Sequence, residues 1–179
     1  ALWRLALISG LRRGELLGLR VRDVDTTVDC INVTQNRVIV SGRTVTKQPK
    51  TRRSRRSVSL DEATSHLLGV VASNRPDEEC LLFVDSAGQA LNPAWVSRRF
   101  TALVTQAGLP LIRFHDLRHT SATLGLARGE SIKEVSARLG HSSVAITGDL
   151  YLQVPTSLAK RSAQGLADLL DGKTGTEAA

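Results

Sequence analysis

Apolar positions recur at helical spacing over residues 2–9 and again over 14–20, separated by the polar break "SGLRRGE". "VRDVD" then reads as a turn. The pattern changes in "TVDCINVTQNRVIVSGRTVT", where β-branched residues partly alternate with polar ones, predicting two or more short strands. "KQPKTRRSRR" is a polar, basic connection, and "SVSL" closes a further strand. Together these predict one small antiparallel sheet near the N-terminus, over roughly residues 28–60.

Helical periods dominate the rest. Asp61 is a good N-cap for "EATSHLLGVVASN". "LLFVD" is a short apolar stretch before the turn "SAGQ". Asn92 as N-cap and Pro93 in the first turn open a helix that Gly108 stops. "HDLRHTSATLGLARG" predicts a helix ending at Gly129. In "SIKEVSARLG", Ser131 and Glu134 form a capping box and Gly140 is the stop. "SVAITGDLYLQV" and "TSLAKRSAQGLADLLD" predict two more helices. The fold class is therefore α+β, mainly α-helical. One domain is expected over 1–171, with a disordered tail over 172–179.

Composition narrows the class. A chain of 179 residues is long enough for one domain with a substantial core. No apolar run approaches the ~20 residues that span a bilayer. The N-terminal run is interrupted by Arg4, followed by Arg12 and Arg13, and lacks a small-residue cleavage site, so it reads as an amphipathic helix and not a secretion signal. Ala1 begins inside that helical pattern without a Met, from which an upstream segment is expected. Cys30 and Cys80 lie in apolar contexts away from other metal-ligand types, so buried free thiols are expected and a zinc site is not.

The net charge is +7, with 19 Arg and 5 Lys, and the pI is about 10.2. Arginine suits planar, two-pronged contact with phosphate, so this balance points to nucleic acid. Residues 43–56 hold Arg43, Lys47, Lys50, Arg52, Arg53, Arg55 and Arg56, seven cations with no acidic residue. Like charges so close repel one another. Phosphate contact relieves that repulsion and releases counterions, which makes the run a candidate DNA-binding segment.

Five local features carry candidate chemistry: "GLRRGE", "PKTRRSRR", "HDLRH", "LGH" and Tyr151, the single tyrosine. Taken one at a time each is ordinary; Arg12 reads as a surface charge and Tyr151 as filler. As a set they suit phosphoryl transfer. Arginine forks stabilise the extra negative charge of the transition state. A tyrosine hydroxyl titrating near 10 needs a base and a positive field before it attacks. A lysine can protonate the leaving oxygen. A phosphate-cradling glycine loop ending in Lys-Ser/Thr is missing, as is an acidic cluster for magnesium.

In order and context these motifs resemble the catalytic domain of the tyrosine recombinases, the phage integrase family. The resemblance runs from "SGLRRGELLGLRVRDVD" through "PKTRRSRRSVSL" and "HDLRHTSATLGLARG" to "VSARLGHSSVAITGDLY". It implies Arg12 as the first catalytic arginine and Lys50 as the β-hairpin lysine, preferred to Lys47. It implies His115 and Arg118 as the His-x-x-Arg pair, His141 as the second histidine and Tyr151 as the nucleophile. Ser59 stands where a proline is common. By that resemblance, Tyr151 attacks a DNA phosphate to give a 3′-phosphotyrosyl link and a free 5′-hydroxyl, and a partner 5′-hydroxyl reseals the strand. Arg12, Arg118 and His141 hold the phosphate, Lys50 protonates the leaving oxygen, and His115 assists proton transfer. Neither ATP nor a metal is required, and no cofactor is expected. Glu15, one turn after Arg12, is expected to orient a basic neighbour.

The resemblance further implies double-stranded DNA with specific attachment-type sites as partner, a homotetramer on DNA, accessory DNA-bending or directionality factors, and a bacterial cytoplasmic location on the nucleoid. An N-terminal core-binding domain is expected in the full-length protein. Gly148 admits either a helix break or a mobile tyrosine segment. Two other functions remain on the sequence alone. A non-catalytic DNA-binding relative is disfavoured because all six expected residues are present. A type IB topoisomerase shares the chemistry and is disfavoured by chain length and motif context.

Overall fold

The structure is a computed structural model that describes residues 1–41, 43–47 and 55–141. Six helices and five strands follow in the order α1 (Leu2–Ser9), α2 (Arg13–Leu16), β1 (Val24–Asp25), β2 (Cys30–Val33), β3 (Asn36–Val40), β4 (Arg43–Lys47), β5 (Arg56–Ser59), α3 (Glu62–Ser73), α4 (Pro93–Gln106), α5 (Asp116–Ala127) and α6 (Ile132–Leu139). The α+β expectation holds. The antiparallel region is divided between a three-stranded sheet of order β1-β2-β5 and a separate β3-β4 hairpin. Among the described residues no helix is long and apolar enough to cross a membrane.

The caps fall where the sequence places them. Asp61 accepts from the Thr64 amide at the start of α3. Asn92 accepts from the Ala94 and Trp95 amides at the start of α4. Ser131 and Glu134 close a reciprocal box on α6. Each satisfies amides that the first helical turn leaves without partners. One element is shorter than its pattern: α2 ends at Leu16 instead of running to 20. The Gln35 side chain donates to the Gly18 carbonyl at 2.6 Å, tying that backbone to the β2–β3 link. The turn then delivers Leu17 and Leu19 to the core beside Leu16. "VRDVD" becomes a 3₁₀ turn running into β1.

The main core joins Leu5, Leu16, Leu17 and Leu19 to Ile31, Val33 and Val58 of the sheet and to Leu68, Leu82, Val96 and Phe100. Phe114 meets Trp3 and Phe100 edge to face and Trp3 lies tilted on Phe100, with centroids 5.6–6.0 Å apart, which fixes α1, α4 and the approach to α5. A smaller cluster of Ala122, Leu126, Val135 and Leu139 seals α5 against α6. Cys30 and Cys80 are free thiols, half-buried and not fully buried as expected, since each lies at a sheet or loop margin.

The hairpin is held close to α2. A Cβ on Gly14 would collide with the Asn36 side chain and the Arg37 carbonyl, so only a glycine lets β3 lie this near the start of α2. The basic β3–β4 segment is thereby anchored beside Arg12.

Candidate active site

Helix α6 ends at a left-handed Gly140 (φ 68°), and its last carbonyls have no helical partners. Three arginines from distant parts of the chain supply them. Arg56 Nε donates to the Arg138 carbonyl at 2.7 Å, Arg118 Nη2 to the Leu139 carbonyl at 2.9 Å, and Arg12 Nη2 to the Gly140 carbonyl at 3.2 Å. The negative end of the helix dipole favours cations at this point. His141 follows directly, its amide bonded to the Ser136 carbonyl. Four residues that the sequence separates widely thus meet at one helix end.

Arg118 is the deepest of them, 5% exposed, and also donates from Nη1 to the Gly10 carbonyl at 2.7 Å. Burial first, then the nearby Arg12, pushes its guanidinium down to about 9, and it remains a cation at neutral pH. Arg12 stands at the N-terminus of α2 with a side chain 41% exposed. Glu15 orients it: the carboxylate accepts from the Arg12 guanidinium at 2.9 Å and from the Arg12 amide at 2.9 Å. Glu15 itself is buried. Burial alone would raise its carboxyl, but the hydrogen bonds and charges of Arg56 and Arg12 outweigh it and hold the group below its ordinary value.

His115 is the N-cap residue of α5, one turn before Arg118 and one turn from His119. The His115 and His119 rings meet at right angles with centroids 5.4 Å apart. Burial, then His119 and Arg118, lower the His115 imidazole below its usual value. His141 is moved further, to about 4, by burial and then by Arg118, Arg12, Arg56 and His119. Both histidines are neutral at pH 7, able to accept or share a proton.

These shifts couple to stability. Unfolded, His141 takes up a proton near 6.5; folded, it refuses one until about 4. Its contribution is complete above 6.5 and is lost as pH falls through that window, and His115 acts with the same sign. The melting temperature is expected to drop between pH 7.5 and pH 5. Equal values would mean that the folded imidazoles do not feel the arginines.

The structure brings Arg12, Arg118 and His141 together with His115 nearby. Lys50, Arg52, Arg53, Gly148 and Tyr151 lie outside the described residues. Lys47 is exposed at the end of β4, and Arg55 is exposed just before β5. Arg56 departs from expectation. The sequence groups it with the DNA-binding cations, but its side chain is 8% exposed and paired with Glu15 at 3.0 Å. The signal was available: β5 reads Arg-Ser-Val-Ser, and period-2 alternation puts Arg56 on the same face as buried Val58. His119 and Arg138 were also missed. Arg138 bonds to Ser121 and to the Ile8 carbonyl, holding α6 against α5 and the end of α1.

Chemically, guanidinium forks can bind an oxyanion and neutral imidazoles can accept or share a proton. Residues 1–157 match the family model described as "Phage integrase family". The chain is 29% identical to a tyrosine recombinase XerC-like protein from Caldanaerobacter subterraneus subsp. tengcongensis, over 94% of this chain and 49% of that one. It is 31% identical to the ICEBs1 integrase of Bacillus subtilis, over 94% and 48%. The chain thus spans about half the length of the curated relatives it matches. Its fold resembles the Tn1549 transposon integrase solved with transposon right end DNA (TM-score 0.80, 24% identity, 92% of this chain and 57% of that one). It also resembles the XerA recombinase crystal structure (TM-score 0.70, 28% identity, 90% and 54%).

Proposed function

This chain belongs to the phage integrase family, and from that we propose that it is the catalytic portion of a site-specific DNA recombinase. Residues 1–171 form the catalytic domain. Arg12, Arg118 and His141 hold the scissile phosphate. Tyr151 attacks it and becomes joined through a 3′-phosphotyrosyl bond, while Lys50 gives a proton to the departing 5′-oxygen and His115 takes the tyrosine proton. A 5′-hydroxyl from a partner duplex then attacks the phosphotyrosine, and Tyr151 leaves. One P–O bond breaks as another forms, so the bond energy is conserved and the exchange needs no nucleotide hydrolysis.

The observation that carries this reading is the convergence of Arg12, Arg118 and His141 on the end of α6. Forked cations there suit the developing charge of a phosphoryl transition state better than a purely structural role would. The full-length protein acts on double-stranded DNA at attachment-type sites, as a homotetramer, aided by accessory DNA-bending or directionality factors, in the bacterial cytoplasm and on the nucleoid. An upstream core-binding domain clamps the opposite face of the duplex. Incubating the full-length protein with a nicked suicide substrate is expected to leave it covalently attached to the 3′ end at the nick. Absence of any adduct across candidate attachment sites would remove the enzymatic assignment and leave a DNA-binding protein.

The basic segment supplies sequence-independent affinity through Arg43, Lys47, Arg52, Arg53 and Arg55. Neutralising two of Arg52, Arg53 and Arg55 is expected to flatten the salt dependence of binding by ~0.9 log unit per lost phosphate contact. An unchanged slope would mean that the segment does not touch DNA.

A further inference from the structure

We propose that Arg56 is a positioning residue of the phosphate site, locking the Glu15–Arg12 pair to the end of α6 so that Arg12 and His141 face one phosphate. The inference rests on the recombinase reading above. Every nitrogen of the Arg56 guanidinium is engaged inside the protein. Nε donates to the Arg138 carbonyl at 2.7 Å, and Nη1 and Nη2 donate to the two Glu15 oxygens at 3.3 and 3.0 Å. Its side chain is 8% exposed.

Its position explains the reach of that one side chain. Arg56 opens β5 and pairs with Val33 across the sheet, so its Cα is fixed by the ladder. Glu15 receives Arg56 and Arg12 together, and each of its two oxygens accepts from both residues. Without Arg56, the carboxylate would turn wholly to Arg12 and compete with phosphate for that fork. Gly140 shows how closely the guanidinium is seated: a Cβ there would stand 2.8 Å from Arg56 Nη1 and 2.9 Å from Cζ. The left-handed turn that presents His141 is therefore packed directly on Arg56.

The test is Arg56→Lys in the full-length protein, which keeps the charge and removes the fork. Three results are expected. Single-turnover cleavage of the suicide substrate falls about 10–100-fold, as for other misaligned reacting groups. DNA affinity and its salt slope stay unchanged. The His141 titration, followed by NMR on the assigned His141 resonance, moves from about 4 towards 6.5 as the turn loosens around Arg118, Arg12 and His119. In Arg56→Gln, which removes the charge, a slope shallower by ~0.9 would make Arg56 a phosphate contact and overturn the proposal. So would unchanged cleavage or an unmoved His141 in Arg56→Lys. Should the wild type form no adduct, the recombinase reading fails, while the His141 titration still decides whether Arg56 holds the turn. Should the lysine variant unfold, Glu15→Gln with Arg56→Gln leaves the local net charge unaltered, and the same readouts apply.

Discussion

Tyr151→Phe is expected to abolish covalent attachment to DNA and leave binding intact. The substitution deletes one oxygen and keeps the ring, so contacts made by the aromatic face survive. That oxygen is the proposed attacking atom, and a phenol titrating near 10 is almost wholly protonated at pH 7. Its activation needs a proton acceptor and a positive field. His115 is held neutral by burial and by its cationic neighbours, and Arg118 stays charged in spite of burial. Phenylalanine offers nothing to activate, so the expected loss is complete and not graded. The check is a nicked suicide substrate resolved on a denaturing gel, with affinity measured in parallel. An adduct that persists in the variant would place the nucleophile elsewhere.

Arg118→Lys should damage both rate and fold. Lysine keeps the charge, but a single ammonium cannot reach the Gly10 and Leu139 carbonyls while also facing a phosphate. Losing one oxyanion donor costs ~10²–10³ in rate by comparison with other enzymes. Leaving a buried carbonyl without its charged donor costs about 1.5–3 kcal/mol. For a chain of this size that corresponds to a melting point lower by roughly 3–12 °C. Arg12→Lys, at an exposed side chain, should share the rate defect and spare the melting point. Equal melting losses in the two variants would contradict the structural role given to Arg118.

Much of this was legible in the chain. Asp61, Asn92, Ser131 and Gly140 mark helix ends through local chemistry that needs no tertiary partner, and all four lie where expected. Arg12, Arg118 and His141 were found because their motifs resemble a family, not because periodicity revealed them. Arg56 was misplaced for a physical reason. A run of cations looks uniform in sequence, and only strand alternation with a carboxylate on another element separates one buried member from its exposed neighbours. The early end of α2 was hidden for a related reason, since the bond from Gln35 that ends it comes from 17 residues away.

The bonds that gather the arginines at the end of α6 are long in sequence. Arg12 reaches a carbonyl 128 positions ahead, and Arg118 reaches one 108 positions behind. A ribosome adding ~5–20 residues per second needs about 6–26 s to span the longer interval. During that time the nascent chain gains Glu15 and then the basic segment but has no end of α6 on which to gather them. The end of α6 emerges only after Arg12, Arg56 and Arg118, so an unfinished chain carries the cations without the carbonyls that gather them.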